Sequence, residues 1–206
     1  MDGTRVSLRC RCGRVRGYVD DVTPGSGSRV VCYCDDCQAF ARWHGMPGAM
    51  NEHGGTDVYQ VPPAHMHVTE GADQIRCLRL TPRPRALYRF YAACCKAPLG
   101  NSLPRFPFVG ISCVALDVES TGRTRDELLG PPLGHIMGKF AIGEKPAHVS
   151  RIMSPGVVLG AGGRFASWWL RGLGRPSPFF DASGATLCEQ VVLTAEERAA
   201  LAPAAV

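Results

Sequence analysis

A chain of 206 residues with 45% hydrophobic and 20% charged residues is long enough to bury a core without covalent help, and it is neither fibrous nor wholly disordered. Its formal net charge of +5 is spread over arginines along the whole length, among them Arg9, Arg11, Arg14, Arg16, Arg83, Arg85 and Arg89, and no helix-turn-helix, RNP or finger pattern accompanies them, which argues against a nucleic-acid partner. The N-terminus MDGTRVSLRC has no apolar stretch behind a basic region, so a secretory signal is not expected and a cytoplasmic location with reduced cysteines is the default expectation.

From Arg5 to Val19, the residues Val6, Leu8, Cys10 and Cys12 alternate with Arg5, Arg9 and Arg11, which reads as a strand entering a turn at Gly13. Asp20 to Ser28 is a turn cluster and Arg29 to Tyr33 a short β-branched strand, so a hairpin across 20–28 is the simplest expectation. After Cys37 the stretch QAFARW suits a helix of one or two turns stopped by Gly45. Further strands are expected at Asp57 to Val61, His65 to Thr69, Ile75 to Leu80, Arg85 to Tyr91 and Gly110 to Val118. Many short strands with few helices predict a mainly β fold.

A division near Glu119 to Pro132 follows, where Thr124 and Glu127 form a capping box on a short helix. The expected organisation is a β domain over 1–132 and a C-terminal extension over 133–206 packed on it. In the extension, Phe165, Trp168, Trp169 and Leu173 recur at helical spacing, predicting a helix over 164–173 whose aromatic stripe is core. Thr194 and Glu197 open a second helix. Arg164, Arg171 and several glycines between Ser154 and Leu173 argue against a membrane span.

Ten cysteines in a reducing compartment point to metal or redox chemistry rather than to disulfides. Cys32-x-Cys34-x-x-Cys37 packs three thiols into six residues, well placed to wrap one soft cation, and thiolate donors favour zinc. Three protein ligands leave one tetrahedral position open, to be taken by a thiol or water or closed by His44, His53, His65, His67 or Cys113. Cys10-x-Cys12-Gly13 is half of another site, for which Cys94, with Cys95 beside it, is the obvious supplier of the other half. Cys77, Cys113 and Cys188 stand alone and read as small hydrophobes, and His65-x-His67 lacks the partners of a ligand motif.

The order C-x-C-G at Cys10, Cys12 and Gly13, then C-x-C-x-x-C at Cys32, Cys34 and Cys37, then Phe90 and Cys94 in RFYAACCKAPLG, resembles the glutathione-dependent formaldehyde-activating enzymes, a family that includes centromere protein V. The resemblance covers roughly residues 5–118, with a weaker echo in PPLGHI, Pro131 to Ile136. It implies a β-tent fold with two zinc sites, a structural one holding Cys10, Cys12 and Cys94 and an open one holding Cys32, Cys34 and Cys37. It further implies carbon-sulfur lyase chemistry on a thiol adduct, with a small thiol such as glutathione as partner; nearby arginines such as Arg11 or Arg42 are then expected to bind the carboxylates of that thiol. The third motif departs from Phe-Cys-x-x-Cys-Gly: Tyr91 stands in place of the first Cys and Cys95 in place of the Gly. The missing ligand is then supplied by Cys95, by Tyr91 or by water, or the site is weakened or empty. The alternative expectation, of a different class, is a non-catalytic zinc-stabilised module that binds a protein or nucleic acid.

Overall fold

The computed structural model describes residues 3–83 and 86–202. Alternation of Val6 and Leu8 with exposed neighbours makes β1 (Thr4–Arg9), which turns at Cys10 to Gly13 into β2 (Arg16–Val22). With β5 (Met66–Glu70), they form a three-stranded antiparallel sheet in the order β1-β2-β5. The remaining described strands are β3 (Ser28–Cys32), β4 (Thr56–Val61), β6 (Ile75–Arg79), β7 (Tyr88–Ala92), β8 (Ala97–Ser102), β9 (Val109–Ser112), β10 (Gly134–Ile136) and β11 (Gln190–Val192). They make an eight-stranded sheet in the order β10-β3-β4-β9-β8-β7-β6-β11. The described helices are α1 (Asp35–His44), α2 (Arg125–Leu129), α3 (Pro155–Leu170) and α4 (Ala195–Ala199). The protein is mainly β, as the short, turn-punctuated apolar runs predict, and none of its described helices is long and apolar enough to cross a membrane.

The main core brings Val6, Leu8, Val19 and Met66 of the small sheet together with Tyr59, Phe90, Leu99 and Ile111 of the large one. An antiparallel bridge from Leu8 to Leu116 links the small sheet to the segment after β9. Burial of apolar surface supplies the driving force, about 25 cal/mol per Å² removed from water, and the central strands β6, β7 and β8 are buried along nearly their whole length.

Several local expectations need correction. The hairpin across 20–28 does not form: β2 runs on into the expected turn and pairs with β1 and β5, whereas β3 pairs with β4 and β10. The hairpin lies one turn earlier, at the Cys10 to Gly13 segment. Helix α1 has 10 residues rather than one or two turns, because the Cys34 side chain caps it by accepting from the Cys37 amide. Gly45 ends it in the left-handed conformation that glycine tolerates best. Strand β7 begins at Tyr88, and Arg85, the expected start, lies outside the described residues. The run expected from Gly110 to Val118 leaves the sheet at Ser112 for a single 3-10 turn.

Beyond residue 132 the chain supplies the two outermost strands of the large sheet. β10 runs parallel to β3, with Ile136 opposite Cys32, and β11 runs parallel to β6. Phe179 lies flat on Phe90 of β7, ring centroids 3.8 Å apart, and is 1% exposed. The buried Gln38 of α1 donates its amide to the Tyr33 and Phe140 carbonyls, each at 2.7 Å, pinning α1 to the extension. The expected helix over 164–173 starts earlier, at Pro155, where Ser154 caps and the proline needs no amide partner. Its aromatic stripe divides: Trp168 is buried, but Trp169 faces solvent. The capping boxes at Thr124 with Glu127 and at Thr194 with Glu197 are both formed.

Candidate metal centres

Two hairpin turns from different sheets meet at the first cysteine cluster. The β1–β2 turn presents Cys10 and Cys12, and the β7–β8 turn presents Cys94 and Cys95. The first turn closes by a Gly13 amide bond to the Cys10 carbonyl, 3.0 Å, with Gly13 at φ 76°. The Val15 amide donates to Cys10 Sγ at 3.2 Å. The sulfur separations are 3.6 Å for Cys10 to Cys12, 3.8 Å for Cys10 to Cys94, 3.3 Å for Cys12 to Cys94 and 4.0 Å for Cys94 to Cys95. A tetrahedron with metal–sulfur bonds of about 2.3 Å has edges of about 3.8 Å. These four sulfurs therefore fit one tetrahedral thiophilic ion, and they are too far apart for disulfides.

Cys95 thus joins the other three, all ligand atoms within 4.8 Å of one another. Tyr91 does not: it packs edge-on against Trp43, in the side cluster with Phe40 and Leu78. Hydrogen bonding from the Arg14 amide and from Cys94 lowers the exposed Cys12 thiol to about 6, whereas burial pushes Cys94 up. In chelator-treated protein, Cys12 is expected to be alkylated by iodoacetamide first, with a pH midpoint near 6, its thiolate forming as pH rises through that value. Peptide mass spectrometry after timed labelling reads this directly; equal labelling of Cys12 and Cys94 at pH 7 would contradict it.

The second cluster sits where β3 runs into α1. Cys32 ends β3, Cys34 caps the helix and Cys37 lies in its first turn, with the Cys37 amide 3.4 Å from Cys34 Sγ. The three sulfurs lie within 4.8 Å of one another, at the positive end of the α1 dipole, where thiolates are stabilised. Cys37 is buried and Cys32 and Cys34 are partly exposed. Hydrogen bonding from Cys32 and Cys34, stronger than the opposing burial and aided by the Arg89 charge, holds Cys37 well below its ordinary value. The same bonds and burial push Cys32 up.

Among the described residues, no fourth histidine, cysteine or carboxylate joins this group. His44 is buried nearby, but its Nδ1 accepts from the Met46 amide at 3.0 Å, and burial with the Arg89 charge lowers its pKa to about 4. His53 lies by the Ile142 carbonyl and Glu52. His65 and His67 face Asp20, and Cys113 is buried in the main core. Cys77, Cys113 and Cys188 are buried or half-buried, and burial lifts Cys77 to about 12 and Cys188 to about 11, in keeping with small neutral core residues.

The arginine beside the second cluster is Arg89 of β7, not Arg11 or Arg42. Arg11 is exposed in the first turn, and Arg42 donates to the Gln38 side chain at 2.9 Å and the Leu201 carbonyl at 3.0 Å. Arg89 is 2% exposed, its Nη1 is 3.9 Å from Cys37 Sγ, and its guanidinium faces the Phe40 ring. A small cavity borders Cys37 and Arg89, with His44, Thr56, Asn101 and Ser112 on its walls. The one hint of Arg89 in the sequence is a cation within the aromatic run YRFYA, a pattern that suits a strand covered on both faces.

The two cysteine clusters can each hold a metal ion; the donors are all sulfur. A comparison with curated proteins finds no match for the chain. The sequence pattern of a family of unknown function, DUF6151, matches residues 3–189, and the chain belongs to that family.

Proposed function

We propose that the chain is a two-site zinc protein, with a structural ion at Cys10, Cys12, Cys94 and Cys95 and an open, reactive one at Cys32, Cys34 and Cys37. The open centre would take a small thiol such as glutathione and act on its carbon-sulfur adducts. The observation that carries this reading is donor number: four sulfurs converge in one cluster and three in the other. A tetrahedral ion is saturated by four protein ligands and keeps one exchangeable position with three. When bound, zinc supplies a Lewis-acid position at which a thiol loses its proton near neutral pH.

The chain's own residues prepare that position. The α1 N-terminus and Arg89 place positive potential on the sulfurs, and Cys34 keeps partial exposure beside the buried Cys37. The ordered cysteine motifs, which resemble those of glutathione-dependent formaldehyde-activating enzymes, support the same division of roles. The departure of this chain at Tyr91 and Cys95 fits it too, since Cys95 stands with the first cluster.

A second reading rests on α3, where Leu159, Leu170 and Trp169 are exposed, Trp169 by 69%. It makes the chain a zinc-stabilised binding module that uses this helix on a protein partner. Metal analysis and cobalt spectroscopy separate the two. Protein purified without added zinc should carry about two ions per chain, and the Cys34→Ala variant about one. In cobalt-substituted protein, glutathione should shift the visible d–d bands, and the shift should vanish in Cys34→Ala. Two ions with bands indifferent to every small thiol would overturn the reactive centre and leave the module.

A further inference from the structure

We infer that the cavity beside Cys37 is an anion subsite, in which Arg89 holds a small monovalent anion, or the single anionic atom of a larger ligand, against the Cys32, Cys34 and Cys37 centre. The site is built by burial. A guanidinium carries five N–H donors, and among the described residues the only acceptor in range of Arg89 is the Cys37 sulfur at 3.9 Å. No carboxylate of the described residues lies within ion-pair distance of Arg89, which is 2% exposed; the charges that act on it are those of Cys37 and Cys34 and, farther off, Asp36.

The rest of the cavity wall suits an acceptor. Asn101 offers amide N–H groups, Ser112 a hydroxyl, and His44, with Nδ1 already accepting, keeps its proton on Nε2. No carboxylate lines the cavity. Its volume is about 20 Å³, room for one water-sized occupant. A halide, a hydroxide, or the terminal atom of a larger anion such as azide fits it.

Charge explains what the subsite adds to the proposed function, on which this ligand assignment partly rests. Three thiolates around a divalent ion sum to one negative charge, and Arg89 balances it. An anionic fourth ligand then brings the buried group to a net charge of one rather than two, so anions become admissible where a neutral ligand would otherwise win. Arg89 is thereby a specificity-determining residue for the charge of the ligand.

The test uses bromide and azide on the full chain. Crystals grown in bromide should show an anomalous peak within hydrogen-bond distance of the Arg89 guanidinium, retained in Arg89→Lys and absent in Arg89→Met, with circular dichroism checking that each variant folds. In the cobalt-loaded protein, azide should perturb the d–d bands saturably, with affinity falling at least about tenfold in Arg89→Met, the loss of one desolvated charge contact. A bromide peak in protein that takes up no metal at Cys32, Cys34 and Cys37 would uphold the subsite and refute the reactive centre. Metal bound there with no bromide peak and no azide response, or an azide affinity unchanged in Arg89→Met, would refute the subsite.

Discussion

Replacing Cys94 by alanine is expected to release one metal ion per chain and to lower the thermal midpoint by on the order of 10 °C. Cys94 lies within 4.0 Å of the Cys10, Cys12 and Cys95 sulfurs, and its loss leaves the first cluster three of its four donors. An ion held there would join turns from two different sheets that are more than 80 residues apart in sequence. A cross-link closing so long a loop is worth about 3–5 kcal/mol by analogy with a disulfide. At this chain length each kcal/mol moves the midpoint by about 2–4 °C. Calorimetry with parallel metal analysis checks it, and Cys34→Ala is the comparison. That variant should lose the other ion with a much smaller shift, because its cluster ties together only neighbouring residues at one helix end. If Cys34→Ala were the more destabilising of the two, the structural and open roles would have to be exchanged.

Phe179→Ala is expected to cost about 3–5 kcal/mol in chemical denaturation, the usual range for emptying a buried aromatic site. The ring stacks flat on Phe90 and lies in the main core with Phe180, which meets Phe90 edge-on at 5.5 Å. The whole chain should still unfold in one transition, since residues beyond 132 share both the sheet and the core with those before it. A loss below about 1 kcal/mol, or a separate early transition, would show the extension to be an independent layer.

The chemistry of this chain was more legible in its sequence than its topology. Thiol spacing is local, so C-x-C-G and C-x-C-x-x-C announce their clusters without any knowledge of the fold. Capping boxes are equally local, and both formed where Thr124 and Thr194 placed them. What escaped depends on distant partners. β8 reads APLGNS, with a proline and a glycine that argue against a central strand, yet Pro98 is accommodated beside the register shift at Phe90 and Tyr91. β10 and β11 are three residues each and parallel to strands far away in sequence, too short to leave a periodic signal. The glycines at 156, 160, 162 and 163 masked the first half of α3, which its Ser154 cap and Pro155 would otherwise have marked. Arg89 was visible only as a cation within the aromatic run YRFYA; its place beside Cys37 arises from β7 packing against α1.

The two short parallel strands contributed by the extension also govern how the molecule behaves toward its own copies. Each lateral flank of the large sheet ends in a run of three residues, whereas β3 and β6 beneath them are five residues long and carry Val30, Val31 and Leu78. An open five-residue ladder rich in apolar side chains is a template on which further chains can stack into fibrils; a three-residue one offers too few backbone partners to hold a second molecule. Residues 134–136 and 190–192 are therefore expected to act as selvedges, finishing both margins of the large sheet against growth onto a second chain.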